Sequence, residues 1–116
     1  MNNETIDVLI PVFNSAPYLE KCLESILSQT YKNVRIVVAD DSSTDGSTEI
    51  IQRFANQHAN IEHFVRTNEK SISKARNFLL GKIQSKYFTF FDSDDFAEPT
   101  YLETMYDLLC DFGEHS

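Results

Sequence analysis

Tyr87-Phe88-Thr89-Phe90-Phe91-Asp92-Ser93-Asp94-Asp95 decides how this chain is read. Five aromatic or β-branched residues run directly into three carboxylates. The apolar part is too short and too continuous for an amphipathic helix. It reads as a buried strand, with Asp92 to Asp95 as the loop at its carboxyl end. Like charges at the edge of a core repel one another, so they are tolerated where they face solvent, share a proton or hold a cation. An all-oxygen set of this kind suits magnesium or manganese, ions that complete their shell with water and phosphate oxygens. A phosphorylated ligand is then the natural third party. The plainer alternative is an acidic surface turn.

Upstream, the same pattern of strand and polar loop recurs. Asp7 to Pro11 reads as a first strand, which should end near Pro11 because proline lacks a ladder donor. Pro11-Val12-Phe13-Asn14-Ser15 is the loop that follows. Pro17 suits the first turn of a helix whose apolar face is Leu19, Cys22, Leu23, Ile26 and Leu27. Val34 to Ala39 is the second strand, opening into Asp40-Asp41-Ser42-Ser43-Thr44-Asp45-Gly46-Ser47, a loop rich in turn and N-cap residues. Ile50, Ile51, Phe54 and Ala55 mark the buried side of a second helix. Ile61 to Val65 is a short third strand and Arg66 to Lys70 a loop. Ile72, Ala75, Phe78 and Leu79 form the apolar face of a third helix, with Arg76 just off it. Thr100 and Glu103 fit a capping box, and Leu102, Met105, Leu108, Leu109 and Phe112 mark the core face of the last helix.

Strands that alternate with helices need crossovers. The predicted fold is therefore α/β, a three-layer α/β/α sandwich with a mainly parallel sheet in strand order 3-2-1-4. Ligands of such sheets bind at the carboxyl ends of the strands, where the order reverses. Each polar cluster named above follows a strand, so Asp41 and Asp92 are expected at one edge of the sheet.

Composition narrows the function. At 116 residues, 41% hydrophobic and 24% charged, the chain suits one soluble domain with one core. A formal charge of -8 argues against a nucleic-acid partner. Part of that charge sits in two clusters, Asp40-Asp41 with Asp45 and Asp92 with Asp94 and Asp95, which favours a bound cation. No apolar run is long enough to span a bilayer. The first residues carry no signal pattern, which points to the cytoplasm. Cys22 and Cys110 read as core thiols, and His58, His63 and His115 as surface residues. Only three glycines are present, none after the first strand, which excludes a dinucleotide fingerprint or a P-loop. A phosphate would have to be held through a metal.

Ile10-Pro11-Val12-Phe13-Asn14, Val38 to Asp45, Ser73-Lys74-Ala75-Arg76-Asn77 and Phe91 to Asp95, with Ser28-Gln29-Thr30-Tyr31, resemble the N-terminal half of a family 2 glycosyltransferase of GT-A fold. The likeness covers about residues 6 to 112. It implies that the chain, residues 1–116, is a single donor-binding domain without the acceptor-binding half. Pro11, Val12 and Phe13 resemble the loop lining the nucleoside, with Asn14 and Ser93 in the same donor site. Asp41 resembles the acid that accepts from the base, usually uracil N–H, and Arg76 the basic residue near the nucleotide. Asp92 and Asp94 frame the DxD motif, with Asp94 as metal ligand and Asp92 near ribose and metal. The implied donor is a nucleotide sugar, a UDP-sugar above all. The implied cofactor is magnesium or manganese, and the acceptor in the full enzyme a glycan or lipid-linked molecule at the inner face of the membrane. No catalytic base is assigned. Phe13 stands in place of a common tyrosine, Lys70-Ser71 in place of a glycine pair, and Leu79 where a glycine is common. Exposed apolar surface on such a half would favour self-association.

Other readings compete. The chain could be a nucleotide- and metal-binding or partner-binding module without catalysis. A haloacid-dehalogenase-type phosphatase also places Asp-x-Asp after an apolar strand and uses magnesium. That motif usually follows the first strand, whereas here it follows the last, and Phe96 stands where a Thr or Val is usual.

Overall fold

A computed structural model describes residues 4–66 and 72–115, the side chains of Ile72 and of 109–115 excepted. Its elements are β1 (Ile6–Val12), α1 (Ala16–Leu27), β2 (Val34–Asp40), α2 (Ser47–Gln57), β3 (Ile61–Val65), α3 (Ile72–Leu80), β4 (Tyr87–Phe90) and α4 (Tyr101–His115). The strands form one parallel sheet in the order β3-β2-β1-β4, the order expected from the alternating pattern.

Side chains alternate across a strand, and that alternation builds the layers. Ile6, Val8, Ile10 and Val12 of β1 face a core shared with α1, α2 and Leu102 of α4. Leu9, with Val37 and Ala39 of β2, faces Leu79 of α3 on the other side. Leu79, where the family often has glycine, is thus a buried core residue.

Several expectations need correcting. β1 ends near Pro11 as expected, but one residue beyond it, at Val12. The Phe91 amide donates to Leu9 O, and the Asp41 amide to Val12 O. With period two, the missing Pro11 donor therefore points to the β4 side, where β4 has already ended, so nothing is lost. β4 itself is not buried on both faces. It is an edge strand, as the expected order already placed it; Tyr87 packs under Tyr106, and Phe88 is 43% exposed because α3 covers β1 and β2 instead. Leu108 is also exposed. At 100° per residue it falls well off the stripe of Leu102, Met105 and Tyr106, and Tyr106 takes the core position against Tyr31 and Tyr87. Leu109, Cys110, Phe112 and His115 lie outside the described side chains. Thr100 and Glu103 make no capping bond among the described residues; Glu103 accepts from the Thr30 hydroxyl.

Asp7 is fully buried inside β1, a placement its charge did not suggest. Its carboxylate accepts from Arg35 Nη1 (3.1 Å), the Gln84 and Ser85 amides (2.8 and 3.1 Å) and the Ser85 hydroxyl (2.7 Å). Arg35 also reaches Glu62 at 2.6 Å. This network joins β1, β2, β3 and the approach to β4 at the amino ends of the strands.

The histidines are not all at the surface. His58 is half-buried and stacks on Phe54. His63 shares the inward face of β3 with Ile61, and its Nε2 is buried without a partner among the described residues. Burial holds its imidazole below the ordinary histidine range, with the Asp40 charge pulling partly the other way. The unfolded chain takes up this proton near pH ~6.5, before the folded one does. Stability should therefore be full above that pH and fall as pH drops through it. His63→Gln is expected to flatten that limb in urea unfolding curves between pH 7 and 5. An unchanged pH slope in the variant would contradict this.

Candidate functional site

The carboxyl ends of the strands carry loops that are tied to one another. Asn14 adopts a left-handed conformation (φ 50°), one that Asn tolerates better than most residues. There its amide donates to Ser43 Oγ at 2.9 Å, and its Oδ1 accepts from the Thr44 amide at 2.8 Å. The α1 N-cap Ser15 makes no side-chain cap of its own. Asp45 supplies one from the next loop, accepting from the Ala16 amide at 3.0 Å, while its other oxygen takes the Ser47 amide and hydroxyl. Desolvation pushes the Asp45 carboxyl up, but the bonds from Ser47 and Ala16 outweigh it and hold the group below the usual range.

Asp40-Asp41 with Asp45 therefore does not form a cation site, contrary to the expectation drawn from charge alone. Asp40 points under α2, where Ser43 and Thr48 hold its two oxygens. Asp41 points the other way and pairs with Arg66 Nη1 at 2.7 Å. Neighbours in a strand face opposite sides, so adjacent carboxylates in sequence separate in space.

The second cluster does converge. Asp92, Asp94 and Asp95 are exposed, and one carboxylate oxygen from each lies within 4.8 Å of the others. An oxygen-only donor set on a solvent-facing loop fits a hard divalent cation. Asp95, counted with this cluster in the sequence though outside the DxD pattern, joins the two carboxylates of that pattern.

Helix α1 fixes this acidic loop. The Cys22 thiol donates to Asp92 O at 3.6 Å, and the Ser15 and Ser93 hydroxyls bond at 2.6 Å. Ser25 Oγ accepts from the Ala97 amide at 2.9 Å. Gln29 is fully buried. Its Nε2 donates to Glu98 O (2.6 Å), and its Oε1 accepts from the Leu102 amide (2.9 Å), satisfying an orphan donor at the start of α4. Burial pushes the free Cys22 thiol up to about 12, aided by the charges of Asp95, Asp94 and Asp92, so it packs as a neutral group.

One cavity of about 630 Å³ opens among these loops. Pro11, Val12, Phe13, Asn14, Asp41, Arg76, Asp92, Ser93 and Asp94, the residues singled out in the sequence, all line it, along with Ser15, Tyr18 and Ala75. Arg76 is exposed on α3, its guanidinium 4.7 Å from the centre of the Phe90 ring. Phe13 is 43% exposed and Tyr18 56%, so both present ring surface near the cavity. Lys70 and Ser71 lie outside the described residues. Ser15 had a signal, since it closes the first loop, and Tyr18 had one as the residue after Pro17 at the start of α1. Arg66 had none, because its partner is set by the pairing of β2 with β3.

The family model of Glycosyl transferase family 2 matches residues 7–115. Glycosyltransferase GlyA of Streptococcus pneumoniae serotype 4 is 43% identical over 110 residues, which is 95% of this chain and 16% of that protein. Glycosyltransferase GlyG of the same organism is 36% identical, over 90% of this chain and 35% of its own length. The chain thus spans about a third or less of these relatives. The crystal structure of S. aureus TarS 1-349 in complex with UDP-GlcNAc superposes with a TM-score of 0.80 at 30% identity, over 96% of this chain and 32% of that one. No helix among the described residues is long and apolar enough to cross a membrane. The sheet order and these matches identify the fold as GT-A, and the chain belongs to glycosyl transferase family 2.

Proposed function

We propose that this chain is the donor-binding part of an inverting glycosyltransferase. It takes a nucleoside diphosphate sugar, a UDP-sugar in the first instance, together with magnesium or manganese, for transfer of the sugar to a glycan or lipid-linked acceptor. One observation carries the reading: residues from three separate strand-end loops and from α3 line a single cavity beside an oxygen-only acidic trio. The volume of about 630 Å³ is within the range of small-molecule sites. The UDP-GlcNAc complex of TarS supports the choice of donor.

The residues divide the work. Pro11, Val12 and Phe13 wall the nucleoside, and Asp41 accepts from the base N–H. Asn14 holds its loop against Thr44, and Ser93, tied to Ser15, sets the backbone between Asp92 and Asp94. Arg76 brings positive charge to the side of the diphosphate. Asp92 and Asp94, with Asp95, hold the cation, which when bound offsets charge on the leaving diphosphate as the sugar bond breaks. The general base for the acceptor hydroxyl is not assigned to any residue of this cavity, so this chain alone is expected to transfer sugar poorly.

Titration calorimetry with UDP tests the base contact. Asp41→Asn should weaken UDP about fivefold, roughly 1 kcal/mol for one altered hydrogen bond, with manganese and with a chelator alike. Unchanged affinity under both conditions would remove Asp41 from the base contact.

A further inference from the structure

Asp41 is 4% exposed and lines the cavity, yet only its Oδ1 is engaged, by Arg66. Its Oδ2 has no hydrogen bond among the described residues, and it is not one of the buried polar atoms left without a partner. It is therefore accessible, and the accessible space at Asp41 is the cavity. Arg66 does not line the cavity. Its side chain is 14% exposed and lies 5.3 Å from the centre of the Phe78 ring. Its backbone is fixed at both ends, the amide donating to Asp40 O at 2.7 Å and the carbonyl accepting from the Ser42 hydroxyl. Arg66 thus grips one oxygen of Asp41 from behind and leaves the other for a ligand.

We propose that Arg66 is a positioning residue that sets base selectivity, by holding the Asp41 carboxylate with one acceptor oxygen turned into the cavity. This rests on the reading that Asp41 meets the nucleotide base. A carboxylate paired with a guanidinium accepts and does not donate. A pyrimidine with a ring N3–H, such as uracil, satisfies it. Cytosine presents a bare N3, so two acceptors would face each other, and a site built around a hydrogen bond rejects a ligand that leaves its buried group unpaired. Arginine suits the task because its planar fork fixes direction as well as charge. Without it, the Asp41 side chain is free to turn and the preference is lost.

The test is the ratio of CDP to UDP dissociation constants, measured by calorimetry in manganese for the parent, Arg66→Met, Arg66→Gln and Asp41→Asn. The parent should prefer UDP by about tenfold or more, the scale of one charge-assisted hydrogen bond. Both Arg66 variants should bring that ratio down at least threefold, with melting curves showing a folded chain. Arg66→Gln keeps a donor and serves if Arg66→Met does not fold. A purely structural role would weaken both nucleotides equally and leave the ratio unchanged, which overturns the proposal. If Asp41→Asn collapses the ratio while the folded Arg66 variant keeps it, the role of Arg66 fails and the base contact stands. If the parent shows no preference, or Asp41→Asn leaves it intact, the base contact itself fails and the proposal with it.

Discussion

Asp7→Ala is expected to destabilise this chain by about 3–5 kcal/mol, the range for removing one partner of a buried charge pair. The substitution strips Arg35 of one of its carboxylates. It also leaves the Gln84 and Ser85 amides without the acceptor they share at the amino end of the sheet. For a domain of this size the melting temperature should drop by on the order of 15 °C. Thermal and urea unfolding measure it, and a melting temperature within about 3 °C of the parent would show that the network contributes little. Asp7 lies at the opposite end of β1 from the cavity, so the fraction that stays folded should bind UDP as the parent does.

Asp94→Asn should cut UDP affinity in manganese tenfold or more while leaving binding in a chelator unchanged. The substitution keeps the shape and removes one charge from the acidic trio. Loss of a hydrogen bond to a charged group costs about 1.5–3 kcal/mol, and a lost metal contact should cost at least as much. Few protein oxygens are on offer, so the cation depends on the diphosphate and water to fill its shell. Manganese alone should then bind weakly, and UDP should tighten it. Asp41→Asn, by contrast, should act in both conditions. If Asp94→Asn bound UDP in manganese as well as the parent, the metal assignment would be wrong.

The order of elements was legible because each apolar stretch kept one period and ended in turn residues. The cavity residues were legible because family motifs mark strand ends, and a parallel sheet brings strand ends together. What stayed hidden depends on pairing between distant segments. Asp7 reads as the polar start of a strand until Gln84 and Ser85 are seen to converge on it. Arg66 reads as loop until β3 lies beside β2. His63 carried an overlooked signal, since it shares period-two parity with the buried Ile61. Phe88 misled in the opposite sense: its strand looked buried from hydrophobicity alone, although the expected order already put it at an edge, and only the position of α3 reveals the uncovered face.

The two ends of the sheet also differ in how freely they can be rewritten. β1 is seven residues long, which at ~3.3 Å per residue separates its ends by roughly 20 Å. Substitutions that far apart, with no shared partner, combine additively. Phe13 and Tyr18 at the cavity could therefore be randomised in a selection for new donors without compounding losses at the charge network around Asp7. Variants that fail in such a library should fail for recognition rather than for folding. Ser15, Asp45 and Gln29 are the exceptions, because they brace the loops themselves.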